Sequence, residues 1–173
     1  MLDPIFYNPQ TVLSHEQCNE ISNLQVEWKS GCWEKGNTVY RNDSYAVIYH
    51  DDYWMRCKRV MVASSLAPCD FVKASFNLHK FTANSLYAWH TDQKRLGTSV
   101  CSRSIVIGIK TVSDIVIETV NGCFSITQGI GIQIPSKDSY QLIGPERGEN
   151  LLLVGWGMQR LSDIYFSQKN FAY

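Results

Sequence analysis

From residue 71 to residue 158 the apolar positions fall in short β-rich runs separated by turn residues. The runs are FVKASFNLHKF (71–81), SLYAWHTD (85–92), SRSIVIGIKTV (102–112), DIVIETV (114–120), CFSITQG (123–129), GIQIPS (131–136) and LLLVGWGM (151–158). They are rich in β-branched and aromatic residues and bounded by turn residues, as strands are. The first 70 residues read differently. Ser14 is placed to cap a helix with Gln17 as its capping-box partner, and Val12, Leu13, Ile21 and Leu24 supply an apolar stripe at helical spacing. The stretch GCWEKGNTVYRNDSYAVIYH (31–50) reads as irregular structure leading into a strand. DDYWMRCKRVMVASSLAP (51–68) returns to helical character: Asp51 and Asp52 favour its N-terminus and Pro68 marks its end. Helices followed by closely spaced strands predict one α+β domain over 1–173, with helical and irregular support over about 1–70. A β-sandwich or jelly-roll barrel is expected over about 71–160, then a C-terminal tail over about 161–173.

Composition narrows the function more than the fold. The chain has 173 residues, and Lys+Arg 16 balances Asp+Glu 16, so no bulk charge argues for nucleic acid. No apolar run approaches the ~18 residues of a membrane span. MLDPIFYNPQ has neither the basic nor the apolar stretch of a secretory signal, so a cytoplasmic protein is expected. Cys18, Cys32, Cys57, Cys69, Cys101 and Cys123 form no C-x-x-C pair and are expected as reduced thiols buried like small apolar side chains. The tail DIYFSQKNFAY (163–173) is aromatic enough to need cover, which points to protein partners or a homo-oligomer.

The chemistry-bearing feature is HTD at 90–92. On a strand, His90 and Asp92 share a face and could point at one metal ion, but an isolated H-x-D is a weak signal. Its setting strengthens it. LSHEQCNEI (13–21), YRNDSYAVIY (40–49), HKFTANSLYAWHTD (79–92) and GIGIQIPSKDSYQLIGPERGENLLLVGW (129–156) follow one another in a recognisable order. Over nearly its whole length the chain resembles the prolyl-4-hydroxylase-like branch of the iron(II)/2-oxoglutarate oxygenases. The resemblance implies a double-stranded β-helix of jelly-roll, cupin-like form, with iron(II) held by two His and one carboxylate. It also implies a basic residue that anchors the distal carboxylate of 2-oxoglutarate.

The departures fall on those functional positions. Aligned through Pro135, Ser136, Gly148 and Trp156, the position of the distal His is Tyr140 and that of the 2-oxoglutarate Arg is Asn150. The Tyr that often reaches the co-substrate in this family is Phe81, and the family's Gly-Gly is Ser113-Asp114. His79 shares a strand face with Phe81 and is the candidate substitute ligand; Tyr140 as a phenolate is another. His15 and His50 lie outside the barrel segments, and Lys137 and Arg147 in turns. The reading is a non-catalytic derivative with no cofactor, serving as a structural or binding subunit suited to a phage particle or its assembly. The alternatives are an active iron(II)/2-oxoglutarate hydroxylase with an atypical metal site, or a metal-free ligand-binding module.

Overall fold

Residues 101–109 are buried on successive positions except Ser102, so both faces of that segment are covered. A strand with two buried faces must lie between layers. The structure, a computed structural model, describes residues 6–47, 73–93 and 95–160. The expected helix over 51–68, His50, Cys57, Cys69 and the tail lie outside the described residues.

The chain opens with β1 (Gln10–Thr11) and α1 (His15–Ser22), then β2 (Lys29–Ser30), β3 (Trp33–Lys35), β4 (Thr38–Asn42) and β5 (Ser44–Val47). There follow β6 (Lys73–Thr82), β7 (Leu86–His90), β8 (Arg95–Leu96), β9 (Ser99–Lys110) and β10 (Ile115–Thr119). β11 (Gly122–Ile126), β12 (Ile130–Pro135), β13 (Tyr140–Ile143) and β14 (Glu149–Arg160) complete it. One sheet runs β1-β12-β9-β14-β6-β5-β2, with β8 on β9; the second runs β11-β10-β13-β7-β4-β3. The strand pairings within both sheets are antiparallel.

Alternation in β9 sorts two cores. Val106 joins Ile117, Ile132, Ile134, Tyr140, Leu142, Leu152 and Val154 between the sheets. Ile105, Ile107 and Ile109 face the other way, onto Val12, Leu13, Cys18 and Ile21 at α1. The helix starts as its sequence requires: Ser14 Oγ accepts the Gln17 N–H at 3.2 Å, and Gln17 Oε1 accepts the Ser14 N–H at 2.9 Å. Its eight residues are too few to persist without this packing.

Three expectations are corrected. The stretch 31–50, expected as irregular structure leading into one strand, contains three: β3, β4 and β5. Gly36, at φ 61, and Asn37 make the two-residue turn between Lys35 and Thr38, and a bulge beside Trp33 blurs the alternation. β13 was not expected at all: its four residues are too short a run to show a period. Among the described cysteines, Cys18 and Cys101 are buried but Cys32 and Cys123 are exposed. Cys123 lies on β11, at an edge of its sheet, and Cys32 in a loop, where the side chain meets water. Cys18, Cys32 and Cys123 are free thiols.

Candidate functional site

β7 ends at His90, and two residues on the chain places Asp92 in the interior, 2% exposed. β13 pairs with β7 so that Tyr140 stands opposite His90, with a bulge between Tyr140 and Leu142. The Tyr140 hydroxyl donates to Asp92 Oδ2 at 2.6 Å, and Ser104 Oγ, from β9, donates to the same oxygen at 2.6 Å. Asp92 Oδ1 faces His90 Nε2 at 3.7 Å. His90 Nδ1 lies 2.8 Å from the Ala88 carbonyl; a carbonyl only accepts, so Nδ1 carries a proton. The His90 ring stacks on Tyr87 at 3.8 Å and 6°, and tilts against Tyr140 at 4.4 Å.

A second cluster lies on the other side of Tyr87. Asp43, the single residue between β4 and β5, receives Arg41 Nε on Oδ1 at 2.7 Å and His79 Nδ1 on Oδ2 at 2.6 Å. The Arg41 guanidinium sits 5.0 Å from the Tyr45 ring and 4.8 Å from the Tyr87 ring. Gly31 packs so closely over the pair that an added Cβ would meet Asp43 Oδ1 at 2.3 Å. Burial opposes the Asp43 charge, but the bonds from His79 and Arg41 outweigh it and hold the carboxyl below the usual range.

The hydrogen bonds therefore gather Asp92, Tyr140 and Ser104, with His90 3.7 Å from Asp92, while His79 is engaged by Asp43. Sequence reasoning missed Arg41, Asp43 and Ser104. Arg41 and Asp43 have the same two-residue spacing as His90 and Asp92, and that repeated spacing was the available signal. The two positions that the resemblance assigns to the co-substrate also meet: Asn150 on β14 pairs with Phe81 on β6. Both are buried, and Asn150 Oδ1 accepts the Val112 N–H at 2.9 Å. Lys137 and Arg147 are exposed turn residues.

This donor set does not fit a three-ligand iron centre. Burial, the Asp92 charge and the bond to Asp92 push the Tyr140 phenol well above its ordinary pKa of 10, so it stands beside Asp92 as a neutral hydrogen-bond donor. Among the described residues, no three His, Cys, Asp or Glu side chains gather as a metal-binding group. Asn150 brings no positive charge to a carboxylate and has its oxygen committed. No helix among the described residues is long and apolar enough to cross a membrane.

Two facing antiparallel sheets joined in this order define a double-stranded β-helix, with cupin and jelly-roll barrels among its structural neighbours. Within that class the chain is similar to prolyl-4-hydroxylase-like 2OG-Fe(II) oxygenases. The viral collagen prolyl hydroxylase of Paramecium bursaria Chlorella virus-1 superposes with a TM-score of 0.64 at 13% identity, covering 90% of this chain and 97% of that one. A Pseudomonas putida prolyl-4-hydroxylase gives 0.63 at 12% identity, over 88% and 92%. An oxidoreductase of the 2OG-Fe(II) oxygenase family from Burkholderia pseudomallei gives 0.60 at 12% identity, over 82% and 78%. At such identities the likeness is one of fold. No protein-family model and no curated protein matches the chain.

Proposed function

We propose that this protein is a non-catalytic derivative of the iron(II)/2-oxoglutarate oxygenase fold, acting as a structural or binding subunit without iron or 2-oxoglutarate. The observation that carries this reading is Asn150. At the position of the co-substrate anchor stands a buried neutral amide that caps the Val112 N–H across from Phe81. Binding a dicarboxylate there would bury its charge without a counter-charge, at a cost of several kcal/mol. The exposed Trp33, tilted against Tyr40 at 4.6 Å, supports a protein partner or a further copy of the chain. A phage particle or its assembly is the setting proposed for it.

A second reading, an active hydroxylase with an atypical metal site, draws on the 3.7 Å approach of His90 Nε2 to Asp92 Oδ1. Anaerobic calorimetry with manganese(II), with and without 2-oxoglutarate, separates the two. The non-catalytic reading expects no heat from either. Micromolar manganese binding that tightens with 2-oxoglutarate would overturn it and establish a working site. Binding of 2-oxoglutarate alone would also overturn it, in favour of a metal-free ligand pocket.

A further inference from the structure

A buried carboxylate is tolerated only when its oxygens are matched by donors or a cation. In this fold a metal ion would supply the positive charge beside Asp92. Here the phenol of Tyr140 points at that carboxylate from the strand position where the third ligand would stand. The side chain is fully buried, lies directly across from His90, and places its hydroxyl 2.6 Å from Asp92 Oδ2. Ser104 reaches the same oxygen from the opposite sheet.

We propose that Tyr140 is an internal occupant of the metal position: its hydroxyl dipole replaces the cation, closes the site to metals, and turns Asp92 into a tie between the sheets. The inference rests on the non-catalytic reading above and deepens it. The carboxylate that would hold a metal now holds β13 to β9, so the site's remaining role is mechanical. Two consequences follow from the geometry. Tyr140 and Asp92 depend on each other energetically, because each loses its partner when the other is removed. An imidazole at position 140, facing His90 and Asp92, would complete two nitrogens and a carboxylate on one patch.

The test uses the full chain. Urea unfolding of the wild type, Tyr140→Phe, Asp92→Ala and the double variant measures coupling. The two losses together should cost less than their sum, by about tenfold or more in the unfolding constant. In parallel, manganese(II) is titrated by electron paramagnetic resonance without 2-oxoglutarate. The wild type is expected to leave manganese free and Tyr140→His to bind it. Additive losses in the cycle would overturn the inference and leave the non-catalytic reading standing. A folded Tyr140→His variant that ignores manganese would overturn the claim that this one side chain closes the site. Manganese binding by the wild type would overturn the inference whatever 2-oxoglutarate does; the calorimetry decides the wider reading separately. If Tyr140→His does not fold, the cycle decides alone.

Discussion

Asp43 and Asp92 are both buried just past the end of a strand, and each accepts hydrogen bonds from both sheets. Asp43 joins Arg41 of β4 to His79 of β6; Asp92 joins Tyr140 of β13 to Ser104 of β9. The partners differ in kind. Asp43 is matched by a guanidinium and an imidazole, Asp92 by a phenol and a serine hydroxyl, with the His90 imidazole farther off at 3.7 Å. One tie uses formal charge and the other uses dipoles. Two carboxylates in similar places can therefore share a structural task while responding to different chemistry.

The largest effect should come from the charged tie. Asp43→Ala leaves Arg41 and His79 without their common partner, and breaking a buried pair from one side costs about 3–5 kcal/mol. Urea denaturation should show that loss, and a cost below that of Tyr140→Phe would reverse the ranking. Ser104→Ala is expected to cost about 1.5–3 kcal/mol, the range for a hydrogen bond to a charged group. A neutral result there would mean that Tyr140 alone suffices for Asp92. The subtlest effect is in pH. The lowered pKa of Asp43 contributes stability that is complete above the unfolded value near 3.8 and is lost as pH falls through the native one. The raised pKa of Tyr140 contributes stability that is complete below about 10 and is lost as pH rises through its native value. Thermal melts across pH should then show Asp43→Ala flattening the acid limb and Tyr140→Phe the alkaline limb. Both substitutions acting on one limb would erase the contrast.

The two ties were unequally legible in the sequence. His90, Asp92 and Tyr140 stood out because they occupy marked positions of a segment pattern, and the runs now forming β6, β9 and β14 were plain from their β-rich, apolar content. Arg41 and Asp43 carried the same spacing as the H-x-D pair, but their third member is His79, 36 residues away from Asp43. Periodicity reports which face a residue takes, and it is silent about which distant residue shares that face. β13 failed for another reason: only Tyr140 and Leu142 of its four residues are buried, too few to register as a strand. Cys32 and Cys123 show that a composition-based rule describes an average thiol, while exposure is set by loops and sheet edges.

The place of β14 has a consequence for synthesis. It lies in the middle of its sheet, with β9 on one side and β6 on the other, yet it is the last strand of the described chain to be made. Until residues 149–160 leave the ribosome, β6 and β9 each wait with an unpaired edge. Antiparallel edges of that length are templates for the wrong neighbour. Closure must then bring together segments far apart in the chain, which is slow because loop-closure entropy precedes any gain from pairing. A nascent chain arrested before Glu149 should accordingly be caught by chaperones or aggregate, and release of the last dozen strand residues is the step that commits it to fold.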